Sequence, residues 1–183
     1  MKKINILEII FVVILIAIGI TLRLLPHLPN FTPIIAIALF GGVYLKRKAA
    51  VVIPLLTMAV SDMFIGRYEL SLMISVYGTF FICVLLGFWL KNNKKWYTIL
   101  GCTLLGSVLF FTITNFAVWI FTPWYAKTVF GLIQCYLMAL PFFRNALLGD
   151  LFYVITFFGA YEIVEAWIRI KFKVTKIIDV VHY

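Results

Sequence analysis

The chain has 183 residues, 64% of them apolar and only 13% charged, with 16 Lys and Arg against 7 Asp and Glu. A soluble domain usually carries about a quarter charged residues, so an ordinary soluble enzyme, a disordered chain and a nucleic-acid binder are excluded despite the formal net charge of +9. At roughly 20 residues per spanning helix the length allows about five to seven spans, and the expected fold class is an all-α integral membrane protein forming one transmembrane domain, 1–183.

The first apolar run, 6–25, ends at Arg23 and a turn holding Pro26, His27, Leu28 and Pro29. Glu8 near its start and the lack of a small-residue cleavage site favour an uncleaved span over a secretory leader. The second run, 31–45, contains Gly41 and Gly42 and stops at Lys46, Arg47 and Lys48. It is short for a span, and reads as one that tilts little or crosses a thinned bilayer. The third, 49–66, is interrupted by Pro54 and carries Asp62 near its far end. The fourth, 71–90, closes at Lys91, Asn92, Asn93, Lys94 and Lys95. The fifth, 96–119, leads into a loop with Pro123, Trp124 and Tyr125. The stretch 128–141 is too short for a full span and reads as a lid or re-entrant half-helix between spans five and six. The last span, 145–168, runs into Arg169, Lys171, Lys173 and Lys176.

Alternating these segments across a bilayer divides the basic residues unevenly. Lys2, Lys3, Lys46, Arg47, Lys48, Lys91, Lys94, Lys95, Arg169, Lys171, Lys173 and Lys176 fall on one side. Only Arg23, Arg67, Lys127 and Arg144 fall on the other. Basic residues collect in the cytoplasm, so the expectation is six spans in the cell (inner) membrane with both termini cytoplasmic. A seventh span would carry the basic tail outside. No motif recurs at a fixed period, which gives no support to an inverted-repeat transporter. Cys83, Cys102 and Cys135 have no close pair and read as packing residues.

Many polar residues gather at the outer ends of the spans: Arg23, Asn30, Asp62, Asn115, Trp124, Tyr125, Arg144, Asn145 and Asp150 are the candidate ligand-binding set. Ionisable groups at membrane depth cost about 2.5–3.5 kcal/mol each on insertion scales unless they face a cavity or a partner. Asp62 and Asp150, each expected about a turn inside its span, are therefore read as functional. His27, Arg67, Glu69 and Lys127 read as ordinary loop residues. Asn115 is open to two readings, a polar contact between helices or a contact to a ligand. Glu8, Glu162 and Glu165 lie near the opposite ends, where Lys and Arg can pair with them. With two histidines in the chain, His27 and His182, a two-histidine metal site is not expected. Hydrolase and phosphate-loop motifs are absent. The paired Asp62 and Asp150 lack the flanking residues of an intramembrane aspartyl hydrolase. The chain is expected not to be an enzyme and to need no cofactor.

Three blocks carry a family resemblance. The first is Arg23-Leu24-Leu25-Pro26-His27-Leu28-Pro29-Asn30-Phe31-Thr32-Pro33, running into Ala38-Leu39-Phe40-Gly41-Gly42. The second is Ser61-Asp62 with Gly66. The third is Asn115, then Pro123-Trp124-Tyr125, then Leu140-Pro141-Phe142-Phe143-Arg144-Asn145. Together they resemble the membrane-embedded substrate-binding (S) components of energy-coupling factor (ECF) vitamin transporters and their uncharacterised relatives. The resemblance implies a six-helix bundle of S-component type with an outward-facing pocket. It implies a small-molecule ligand in that pocket. As partners it implies a transmembrane coupling protein and two cytoplasmic ATPases, which drive toppling of the loaded bundle in the lipid bilayer. Phe143 and Arg144 lengthen the Pro-Phe-to-Asn spacing of riboflavin-type members, so that substrate is not carried over. The small residues of the first helix, Ala17, Gly19 and Thr21, do not form the Ala-x-x-x-Ala stripe by which S components meet their coupling protein.

The expected function is capture of a small vitamin-like or heterocyclic metabolite for uptake. The alternative, of a different class, is a membrane scaffold or assembly subunit without a ligand, whose polar outer rim contacts another protein.

Overall fold

The computed structural model describes the backbone of residues 6–66 and 68–181, with side chains at 13–66, 68–167 and 170. Lys2, Lys3, Glu8, Arg67, Arg169, Lys171, Lys173, Lys176 and His182, weighed above, have side chains outside that description. Six helices follow one another: α1 (Ile6–Leu24), α2 (Ile34–Tyr44), α3 (Arg47–Ile65), α4 (Leu70–Leu90), α5 (Trp96–Phe121) and α6 (Val129–Val181). In lipid every backbone polar group has to be satisfied within the segment, and long apolar runs meet that demand as helices. Four of the helices, α3 to α6, are long and apolar enough to cross a membrane. The helix ends fall where polar residues interrupt the runs. Lys46 precedes α3, and before α5 the Lys95 backbone N–H donates to Thr98 Oγ1 at 2.9 Å.

The short second run is not a lipid-facing span. All ten residues from Ile34 to Val43 are buried, the mark of a helix surrounded by protein on every side. α2 touches each of the other five helices, and these follow one another around it in the order α1, α3, α4, α5, α6. The ring is open between α1 and α6, which share no contact among the described residues. At about 1.5 Å per residue α2 is roughly 16 Å long, half the thickness of a hydrocarbon core. Its chain begins three residues later than the run suggested, because Pro33 takes the N-cap position. The segment 25–33 therefore enters the bundle without helical structure. Irregular backbone at membrane depth persists only where protein buries it or a cavity hydrates it.

α2 and α4 cross with their backbones in contact. A Cβ placed on Gly42 would lie 2.6 Å from Gly87 Cα, and one on Gly87 would lie 2.6 Å from the Leu39 carbonyl oxygen. Gly19 of α1 is likewise spent inside the bundle, against Thr57 of α3 and Ile37 of α2. Ala17 and Thr21, by contrast, face outward with Val13, Ile14 and Ile18.

A second correction concerns 128–141. This stretch is no separate lid or half-helix: α6 runs unbroken from Val129 through Pro141 to Val181. A proline inside a membrane helix loses one backbone bond, but neighbouring helices tolerate it. α5 holds this part of α6 closely. Tyr136 donates to the Thr112 carbonyl at 2.7 Å, and the Phe111 and Phe143 rings lie 4.6 Å apart. The helix that carries residue 145 thus starts at Val129, and Asp150 lies roughly 30 Å along it from that start.

One end of the bundle carries the lysine clusters and is closed by side chains from three segments. Lys94 Nζ lies 2.6 Å from Glu162 Oε1, and the Tyr44 hydroxyl donates to the same oxygen at 2.9 Å. The pairing expected for Glu162 is present. The bond to Glu162 raises the Lys94 ammonium above its ordinary value of 10.5. A raised lysine stabilises the fold at every pH below its unfolded value and stops doing so only as pH rises through the higher folded value. The contact therefore keeps its lysine charge throughout the neutral range.

Candidate ligand site

The opposite end of the bundle is hollow above the start of α2. A cavity of about 190 Å³ is lined by Arg23, Asn30, Thr32, Ile35, Met58, Tyr68, Val76, Phe80, Phe110, Ala146 and Asp150. A second, of about 220 Å³, shares Asn30, Phe110 and Ala146 with it and continues to Thr114, Asn115, Phe142 and Phe143.

Each polar group reaches the cavity for a local reason. Arg23 stands in the last turn of α1, where a cation complements the helix dipole. Its Nη1 lies 2.7 Å from Asp62 Oδ1 and donates to Ser61 Oγ and to the Met58 carbonyl at 3.3 Å. The Tyr77 hydroxyl donates to the other Asp62 oxygen at 2.9 Å. Arg23 and Asp62 thus form a buried ion pair between α1 and α3. α3 ends at Gly66, whose φ of +116° few other residues adopt. The turn brings Tyr68 to the cavity. Burial first, and then the Asp62 carboxylate, pushes the Tyr68 hydroxyl up to about 12, so it remains a neutral phenol.

The segment 25–33 supplies Asn30 and Thr32. Asn30 has φ +64°, a left-handed conformation that asparagine tolerates better than most residues. The next residue, Phe31, wedges against α6 at Gly149, where an added Cβ would come within 3.0 Å of the Phe31 Cα. Its ring meets Tyr153 edge-on at 5.5 Å. This wedge seats Asn30 and Thr32 opposite Asp150, the residue after Gly149. Asp150 is 3% exposed. Its Oδ2 accepts from Ser107 at 2.7 Å, and it has no cationic partner among the described residues. A buried carboxyl held by one hydroxyl retains acceptor capacity that a ligand can use. Among the described residues no cluster of three His, Cys, Asp or Glu side chains is placed to hold a metal ion.

A model for a family of unknown function, DUF6580, matches residues 3–173. The chain belongs to DUF6580. No curated protein and no solved structure matches it.

Within this DUF6580 member the expected site residues separate into three groups. Arg23, Asn30 and Asp150 meet in one cavity, with Asp62 held behind Arg23, while Asn30 and Asn115 meet in the adjoining one. Asn115 donates one amide N–H to the Phe111 carbonyl of its own helix at 2.8 Å and lines this second cavity. Trp124, Tyr125, Arg144 and Asn145 line neither cavity. Trp124 is 71% exposed. Its loop is drawn back onto the end of α5 because Lys127 donates to the Trp119 and Thr122 carbonyls and the Trp119 indole donates to Ala126. A lysine bonded to the last carbonyls of a helix acts as its C-terminal cap. The loop does not cover the cavity. Arg144 is exposed, and so does not neutralise the carboxylates; the continuous α6 fixes its direction away from them.

Four polar lining or supporting residues escaped the sequence reading: Ser107, Tyr68, Tyr77 and Thr114. One signal was available. Thr103, Ser107, Phe110 and Thr114 recur at three- and four-residue steps along α5 and share one face. A hydroxyl stripe in a helix rich in Phe and Leu marks the side turned to the bundle.

Proposed function

We propose that this chain is a membrane-embedded substrate-capture subunit for uptake of a small vitamin-like or heterocyclic metabolite. In this reading it works with a separate coupling protein and ATPases, in the cell (inner) membrane, with both termini cytoplasmic and the cavity facing outward. The observation that carries the reading is the cavity holding Arg23, Asn30 and Asp150 at one end of a bundle whose composition is otherwise apolar. Polar side chains converging in a concave, largely apolar site are the ordinary arrangement for small-molecule recognition. The six helices and the resemblance to S components of ECF transporters point the same way.

Gentle purification followed by mass spectrometry of released small molecules tests it. A captured metabolite should appear in stoichiometric amount, and adding it back should stabilise the emptied protein by about 2.7 kcal/mol at a hundredfold excess over its dissociation constant. A scaffold subunit would release nothing and respond to no metabolite.

The sidedness has its own test. A cysteine introduced at Lys94 should be shielded from an impermeant thiol reagent in intact cells, while one at Lys127 should react. The reverse pattern would turn the cavity to the cytoplasm and end the uptake reading.

A further inference from the structure

The fixed charges around the cavity decide which ligands it accepts, an inference that rests on the capture reading. Three ionisable side chains stand at or behind its wall: Arg23, which is partly buried, and Asp62 and Asp150, which are buried. Arg23 directs Nη1 at Asp62, Ser61 and the Met58 carbonyl. Among the described residues of the wall, that pairing uses the one cation to compensate one carboxylate and leaves Asp150 in excess. Among the described residues its one hydrogen-bond partner is the hydroxyl of Ser107. Of the other basic residues of this end, Lys127 and Arg144 line neither cavity, and Arg67 lies outside the described residues. Burying a carboxylate without a counter-charge is costly, and an N–H-bearing cation supplies both the charge and the missing donor. Beside it stand the Phe80 and Phe110 rings, stacked with centroids 5.3 Å apart and 26° between planes. Aromatic walls of this kind attract cations and flat rings alike.

We propose that the cavity selects a small organic monocation bearing N–H donors on or beside a flat ring, with its protonated nitrogen donating to Asp150. An anion of the same shape meets the carboxylate head-on, and Arg23 is already engaged by Asp62. A quaternary ammonium brings charge but no hydrogen bond.

The test uses the full-length purified chain in lipid nanodiscs and three probes of nearly equal shape: phenethylammonium, phenethyl alcohol and phenylacetate. Calorimetry and thermal unfolding should rank the ammonium at least about tenfold tighter than the alcohol, the value of one charge-assisted hydrogen bond. Phenylacetate should bind weakest. Asp150→Asn keeps the side-chain shape and an oxygen for Ser107, and it should erase the advantage of the ammonium. The probe order in the unaltered chain stands by itself if that variant folds poorly. An alcohol or phenylacetate that binds as well as the ammonium overturns the proposal. So does an advantage that survives in Asp150→Asn, or failure of all three probes at millimolar concentration. A neutral or anionic metabolite found bound to the purified protein would reject the charge class and leave capture intact. Absence of any bound or stabilising small molecule would reject capture itself.

Discussion

Arg23→Ala should destabilise the folded chain by about 3–5 kcal/mol, the usual cost of stranding one partner of a buried ion pair. The Arg23 and Asp62 side chains are 14% and 5% exposed, so water does not rescue the abandoned carboxylate. Asp62→Ala should be similarly harmful, because it leaves the guanidinium without its counter-charge and removes the acceptor of Tyr77. Replacing both by leucine should recover most of the loss, since a buried pair is worth little more than well-packed hydrocarbon of its own volume. Unfolding of the four proteins in one detergent closes a double-mutant cycle and isolates the coupling. Single losses below about 1 kcal/mol would mean that the pair behaves as an exposed one, and the buried charge accounting around the cavity would fail with it.

Gly87→Ala should badly damage the α2–α4 crossing. The added carbon would sit 2.6 Å from the Leu39 carbonyl oxygen and 2.9 Å from Gly42 Cα, both backbone atoms that no rotamer change can move. Overpacking of a tight interior costs about 1–3 kcal/mol and sometimes more, and here the whole α2–α4 crossing has to part. Gly101→Ala and Gly159→Ala are the matched controls. Nothing lies within 4 Å of a Cβ at either position, so each should be neutral or gain about 0.5–1 kcal/mol from helix propensity. Equal effects at Gly87 and Gly101 in the same unfolding assay would show that the crossing is loose.

Helix boundaries were the most legible part of the sequence, because each apolar run ends at charges or turn residues that lipid excludes. The run 71–90 and the helix Leu70–Leu90 differ by one residue. The central place of α2 was not legible. Ile, Ala, Leu and Phe in succession satisfy a protein interior and a lipid tail equally well, and only the shortness of 31–45 hinted at the difference. α6 was misread at Pro141, since proline ends helices in water more often than in a packed membrane bundle. That one error put Asp150 close to a helix start, pulled Asn145 and Arg144 into the site, and left 128–141 looking like a lid. Arg23, Asn30, Asp62, Asn115 and Asp150 stood out because polar side chains in apolar segments need partners. Ser107 and Thr114 did not, since hydroxyls can bond their own helix at no visible penalty, as Thr114 does with Phe110.

The wholly enclosed α2 has a consequence for biosynthesis. Its eleven residues emerge from the ribosome before α4, α5 and α6, the helices that form much of its wall, exist. A segment of roughly half the bilayer thickness is a poor independent client for lateral release into lipid. Assembly is thus ordered in time: α2 has to wait beside α1 and α3 until the later hairpins close around it. Chains halted after α3 should consequently be held by the insertion machinery or be degraded, whereas chains completed through α6 should become resistant to proteolysis in a single late step.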